Sequence, residues 1–249
     1  MTKWHRTSPA AAEPGGATRS AGPPRQTLRQ RLRRLLRPAR LGTLRRTTPL
    51  SAQWGFDRGT PVDRYYIEQF LAAHRADIQG RVLEIKDSAY TDRLGAGVTR
   101  RDVLDISPAN PLATFVADLA AADHVPSSTF DCFILTQTLH LIYDTPAAIR
   151  HAHRVLRPGG VLLATLPALS RVSAGVGTGG DYWRFTVASA AALFGAAFGA
   201  GRVAVGSRGN VLSAVAFLTG MAGEELRRPE LEADDPYFPV LITVRAVKR

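Results

Sequence analysis

Three acidic residues stand at or near the ends of successive apolar runs. They are Glu84 in Val82-Leu83-Glu84-Ile85, Asp105 after Val103-Leu104, and Asp118 after Phe115-Val116-Ala117. In a doubly wound sheet, an acid about 20 residues beyond the first strand's turn is placed to accept hydrogen bonds from ribose hydroxyls, and Asp105 stands at that distance from Glu84. Singly, each acid reads equally well as a solvated strand end or a helix cap; three in succession point to a nucleotide site. His140 lies just beyond a fourth apolar run, Asp131-Cys132-Phe133-Ile134-Leu135. Histidine exchanges a proton near neutral pH, so His140 is the first candidate for a base. Tyr143, His151 and His153 are secondary candidates, and the two later histidines are expected at the surface. Asp181, Tyr182, Trp183 and Arg184 form a polar-aromatic cluster that could wall an acceptor pocket. The bland alternative packs Trp183 and Phe185 into the core and pairs Arg184 with Asp181. The single cysteine, Cys132, excludes a disulfide framework and a cysteine zinc cluster within the chain. The histidines and carboxylates near the fourth run show no metal-ligand spacing, so no metal site is expected.

The elements that must position these residues follow from periodicity. Thr60-Pro61-Val62-Asp63 reads as a helix start, with Thr60 as N-cap and Pro61 at the first helical position, and Val62, Tyr66, Phe70 and Ala73 on one face. Ordered structure is expected from near Thr60. Strands are expected at 81–85, within 98–106, at 114–117, 131–135 and 161–164, with a last one at 241–244. A helix should start at Thr145-Pro146, again an N-cap and proline pair, and break at Pro158-Gly159-Gly160. Further helices are expected over 188–198 and about 211–226. Runs apolar throughout, alternating with helices, mean a mostly parallel sheet covered on both faces. The fold class is therefore α/β, doubly wound, and its ligands should sit beyond the C-terminal strand ends.

The formal net charge is +11, which suggests nucleic acid until its location is considered. Residues 1–48 hold twelve basic side chains and one acid, Glu13, whereas the rest of the chain holds 20 of each sign. A neutral body argues against a basic nucleic-acid groove. Residues 1–24, rich in Pro, Gly, Ala, Ser and Thr, should be disordered. Their basic start is not followed by an apolar stretch, so a secretory signal is not expected. Over Arg25–Arg37, Leu28, Leu32, Leu35 and Leu36 alternate with Arg25, Arg29, Arg33 and Arg37, the pattern of a short basic amphipathic helix. It could meet an anionic membrane surface or an acidic partner, or be a solvated linker. The domain reading is a tail at 1–48 and one domain at 49–249. The lone cysteine and the lack of a signal lead to an expected cytoplasmic location, with peripheral membrane contact through the tail left open.

The order of these segments resembles the class I S-adenosylmethionine (SAM) dependent methyltransferases of the small methyltransferase-domain type, a Rossmann-like fold. The resemblance covers about residues 62–200. Val82-Leu83-Glu84-Ile85 matches the family's first strand, and Asp105-Ile106-Ser107-Pro108 looks like the acid-bearing end of the second. Ala117-Asp118-Leu119 resembles the segment whose acid and next backbone amide hold adenine. Phe130 to Ile134, with Gln137 and Leu139-His140, is similar to the fourth-strand motif. Leu156-Arg157-Pro158-Gly159-Gly160 resembles the family's turn before strand five, its most specific match. Asp181 to Thr186 also looks like a segment of relatives associated with glycan genes. One departure stands out. The family's first loop carries three glycines where this chain has Lys86, Ser88 and Tyr90. Lys86 and Tyr90 could fill the space meant for the methionine half of SAM, or the loop could run wider, with Gly95 and Gly97 taking up the turn.

The resemblance implies a SAM-dependent methyltransferase acting on a small-molecule or glycan acceptor, most readily at a hydroxyl. It assigns Glu84, Lys86, Asp105, Ile106, Asp118, Leu119 and Gln137 to the cofactor and His140 to proton removal. Tyr143, Tyr182, Trp183 and Arg184 are assigned to the acceptor. A degenerate methyltransferase-fold scaffold is the alternative that the lost glycines favour and the retained acids oppose. An RNA methyltransferase using the basic tail is a third reading, which the neutral body weighs against.

Overall fold

The computed structural model describes residues 28–36, 42–173, 175 and 179–249. The expectations for 1–24, and for Arg25 and Arg37, lie outside the described residues. Two compact units divide the chain, Met1–Arg45 and Arg46–Arg249. In the first, α1 spans Leu28–Leu36 and leaves Leu28, Leu32, Leu35 and Leu36 exposed.

The second unit is built on one seven-stranded sheet: β1 Gly80–Ile85, β2 Val98–Asp105, β3 Phe115–Val116, β4 Phe130–Thr136, β5 Leu156–Pro167, β6 Val203–Arg208 and β7 Leu241–Val247. The spatial order is β3-β2-β1-β4-β5-β7-β6. The first five strands pair in parallel, and β7 runs antiparallel to both β5 and β6. The strand order reverses between β1 and β4, which makes their C-terminal ends the switch point. The doubly wound, mostly parallel reading holds, and two cores show why the strands are apolar throughout. Phe133 and Leu135 face one side, against Ile149 of α4 (Thr145–Val155) and Phe194 of α5 (Val187–Phe198). Cys132 and Ile134 face the other, among Ile67 and Phe70 of α2 (Val62–Ala73) and Phe217 of α6 (Val211–Thr219). Alternate residues of one strand thus enter opposite cores.

Local chemistry corrects several boundaries. Pro61, not Thr60, is the N-cap of α2, with no side-chain capping bond. Pro61 is held extended by an antiparallel bridge to Ala222. At α4 the cap is Asp144, whose carboxylate accepts from the Ala147 N–H, and Thr145 is already helical. The stretch expected as one helix to 226 stops at Gly220, whose φ is +75°. A Cβ there would lie 2.3 Å from the Ser51 carbonyl oxygen. The same contact shows that ordered packing begins before Thr60: Leu50 and Ser51 both donate backbone N–H groups to Thr219. Strand β6, the short helix α3 (Ala89–Leu94) and α7 (Arg228–Glu232) were not legible in the pattern. Pro158-Gly159-Gly160 bulges within β5 rather than preceding it, as the register jump from Leu156 to Val161 against Phe130 and Cys132 shows.

Candidate active site at the C-terminal strand ends

A cavity of ≈ 640 Å³ opens at the C-terminal ends of the parallel strands, within the range of about 300–1,000 Å³ typical of small-molecule sites. All seven candidate cofactor residues and His140 line it. They converge because they stand in pairs at or just beyond the C-terminal ends of four parallel strands, β1 to β4.

Glu84 is almost fully buried at the end of β1. Its carboxylate accepts the backbone N–H groups of Tyr90 and Thr91 at 3.0 and 2.8 Å and the Thr91 hydroxyl at 2.6 Å. Burial raises its pKa against these bonds. Glu84 thus fastens the start of α3 to β1 and shapes the first loop. That loop is short. Lys86 has φ +73° and donates its N–H to Leu104. A lysine stands in the left-handed conformation that favours glycine, where the family has glycine. Ser88 follows, and Tyr90 is buried among the α2 residues, its hydroxyl bonded by Arg64. The wider-loop alternative is excluded: Gly95 closes α3, and the Gly97 carbonyl accepts from Gly80 at the opposite end of β1.

Asp105 ends β2. One carboxylate oxygen accepts the Ser107 N–H at 2.9 Å and the other the Asn110 side chain, which also reaches the Lys86 carbonyl at 2.6 Å. A carboxylate has about four acceptor positions, so capacity remains for two hydroxyls. Ile106 beside it is exposed and Leu119 is buried. Asp118 is exposed and accepts from Ala120. Gln137 ends β4 with φ +46°. Among the described residues four non-glycines have positive φ, and three of them, Trp54, Lys86 and Gln137, line this cavity. Backbone strain gathers where function does.

His140 lies in a 3-10 turn, Leu139–Leu141, after β4. Burial, with a smaller contribution from the Arg184 charge, lowers its pKa to about 4 against the opposing pull of Asp181. Its Nδ1 is buried without a hydrogen-bond partner. Its carbonyl accepts the Tyr182 and Trp183 N–H groups, which brings the segment after β5 beside it. There Asp181, its side chain 1% exposed, pairs with Arg184 and also accepts the Ser173 N–H at 2.8 Å. Arg184 donates further to the carbonyls of Ser170, Arg171 and Trp183. Arg184 is thus a strap for this segment. Tyr143 packs edge-on to Tyr182 and stacks with Trp183, whose indole N–H donates to Ile142 and Tyr143. All three rings are exposed, and neither they nor Arg184 line the cavity; Asp181 and Ile142, their neighbours in the chain, do. His151 and His153 lie away from the cavity and are half-buried rather than at the surface. His153 packs edge-on against Phe198, because α4 is covered by α5 on that side.

The cavity has a second wall that the sequence reading missed. Trp54, Phe56, Asp63 and Arg64 precede or open α2, and Arg171 follows β5. Asp63 is half-buried, and desolvation raises its carboxyl to about 6. Arg171 lies over the Trp54 ring, 3.6 Å from its centroid. These residues stand in segments without a helix or strand period, apart from Asp63 and Arg64, which read only as helix-start polar residues. The one available signal was a pair of aromatics, Trp54 and Phe56, in an otherwise polar stretch.

Residues 74–164 match the family model described as a methyltransferase domain. Over those residues the chain is similar to the methyltransferase-domain family. The match runs from the end of α2 into β5, so it contains the seven cofactor candidates and His140 but none of the second wall. No curated protein matches the sequence. Solved structures similar to this chain include a SAM-dependent methyltransferase from Mesorhizobium loti, at 17% identity and TM-score 0.48, over 78% of this chain and 100% of that one. Another is the N-methyltransferase NodS from Bradyrhizobium japonicum in complex with S-adenosylhomocysteine, at 15% identity and TM-score 0.48, over 77% and 89%. The residues present fit SAM, the family's cofactor: Asp105 retains acceptor capacity, and the first loop keeps a glycine-like backbone at Lys86.

Proposed function

We propose that this chain is a methyltransferase acting on a hydroxyl of a small-molecule or glycan acceptor, with His140 as the proton acceptor. The observation that carries the reading is a half-buried imidazole with its Nδ1 enclosed, held neutral at pH 7 by desolvation and lining the same cavity as Asp105. SAM, when bound, supplies a methyl carbon made electrophilic by the sulfonium sulfur. Asp105 would hold the ribose hydroxyls, Asp118 and the Leu119 N–H the adenine, and Lys86 and Gln137 the remainder. The acceptor lies on the β4–β5 side, and His140 takes the proton its hydroxyl gives up. That proton becomes strongly acidic as the oxygen is alkylated, so a base of low pKa suffices once it is neutral and correctly placed. The resemblance of Asp181 to Thr186 to glycan-associated relatives favours sugars as the first acceptors to try.

Calorimetric titration of the full-length chain with S-adenosylhomocysteine tests the cofactor side. Micromolar binding is expected, and Asp105→Ala should weaken it at least tenfold. No binding by a folded protein would favour the scaffold reading. His140→Ala should leave that affinity within twofold while lowering methyl transfer to a sugar hydroxyl by about 10²–10⁴, the usual worth of a positioned base. Unchanged turnover would remove His140 from the reaction.

A further inference from the structure

We propose that Arg171, set on the face of Trp54, is a recognition site for an anionic oxygen group, carboxylate or phosphate, on the acceptor. The inference rests on the methyltransferase reading above and extends it to the acceptor's chemical class.

The cavity carries several carboxylates, and the principal ones are already engaged. Glu84 is committed to α3, Asp105 to Ser107 and Asn110, and Asp181 to Arg184. Arg171 is in the opposite position. Its guanidinium is paired with no carboxylate among the described residues, and its Nε is buried with no hydrogen-bond partner. A guanidinium is always charged, and leaving one of its N–H groups buried and unpaired is costly unless a ligand completes it. Its orientation is nonetheless fixed. The Trp54 ring lies 3.6 Å from Cζ, well inside cation–π range. Trp54 is held by its indole N–H toward the Ser170 hydroxyl, and the Arg171 carbonyl is gripped by Arg184 at 3.0 Å. A planar fork held in this way suits the paired oxygens of a carboxylate or phosphate.

Position in the sheet separates acceptor from cofactor. Arg171 lies in the segment after β5, whereas Asp105 ends β2, and those two strands are three spacings, about 14 Å, apart in the order β2-β1-β4-β5. Arg171 stands on the side of His140, which the same Asp181–Arg184 strap supports. An acceptor held by its anionic end at Arg171 would bring its hydroxyl toward His140.

The test is calorimetry on the full-length chain with two probes, inorganic phosphate and succinate, each titrated with and without saturating S-adenosylhomocysteine. Wild type should bind at least one probe. Arg171→Gln should weaken that binding at least tenfold, Arg171→Lys should recover part of it, and S-adenosylhomocysteine affinity should stay within twofold in both variants. Trp54→Phe, which keeps an aromatic face, controls for damage to the fold. Equal probe affinity in wild type and Arg171→Gln would overturn the proposal. A tenfold loss of S-adenosylhomocysteine affinity in Arg171→Gln would also overturn it, by giving Arg171 to the cofactor's own carboxylate. If wild type binds no S-adenosylhomocysteine, the methyltransferase reading fails separately, and the probe titrations without it still decide the role of Arg171.

Discussion

At the scale of single residues, Lys86 shows how a motif can change in letters and persist in shape. The family's glycine is gone, yet the backbone keeps φ at +73° and the Lys86 N–H still reaches across to Leu104. For an L-residue that conformation costs about 1–2 kcal/mol, which glycine avoids while losing about 0.5–1 kcal/mol to its freer unfolded chain. Lys86→Gly should therefore stabilise the protein by about 0.5–1 kcal/mol and leave S-adenosylhomocysteine binding no weaker. Lys86→Ala keeps the strain and should give no gain. Urea unfolding of the two variants checks this, and equal stability would place the cost in the side chain instead of the backbone. Tyr90 is a different replacement. It joins the core beneath α2, and its hydroxyl partner Arg64 comes from a helix that lies wholly before the family match. A sequence reading could see that Tyr90 replaced glycine but not which way its ring turned.

At the scale of elements, the segment between β5 and α5 owes its path to one pair. The Asp181 carboxylate is 1% exposed and Arg184 is 27% exposed. Removing one partner of a buried pair costs about 3–5 kcal/mol, and partial exposure of the arginine reduces that here. Arg184→Ala should thus cost about 2–3 kcal/mol in urea unfolding and speed hydrogen exchange at the Ser173 amide. Asp181→Asn keeps an acceptor for that amide and should cost less. An Arg184→Ala variant as stable as wild type would show that the strap holds nothing. The strands and most helices were legible because apolar period and flanking glycine or proline mark them in sequence. The acids at their ends were legible for the same reason. β6 was not, because Ala204 and Gly206 dilute its apolar alternation at a sheet edge. The Trp54–Arg171 wall was not, because its two parts are far apart in sequence and neither lies in a periodic segment.

At the scale of the whole molecule, the charge divides as the sequence implies: the excess belongs to residues 1–48, and the rest of the chain is formally neutral. The net charge therefore says little about how the body responds to pH. Two groups in the cavity wall say more, and they act with opposite sign. Asp63 has its carboxyl raised from 3.8 to about 6 by desolvation, so between those values the native state binds more protons than the unfolded chain. Its contribution is full below pH 3.8 and is lost as pH rises through 6. His140 is lowered from 6.5 to about 4, so in that window the native state binds fewer protons. Its contribution is full above pH 6.5 and is lost as pH falls through 4. One pKa unit is worth about 1.4 kcal/mol, so each effect has a ceiling of about 3 kcal/mol, which solvent screening of these half-buried groups reduces. Wild type should show little net slope from this pair between pH 4 and 6, and single substitutions should unmask it. Relative to wild type, Asp63→Asn should gain stability as pH rises from 4 to 7, and His140→Gln should gain as pH falls from 6.5 to 4. Differences between curves cancel the acid limb shared by all the carboxylates, so urea midpoints at half-unit steps suffice. Two difference curves sloping the same way would mean that one of the groups faces water more freely than its packing indicates. His140 would be the consequential case, because a solvated imidazole would titrate near neutral pH and place the acid limb of methyl transfer there rather than near 4.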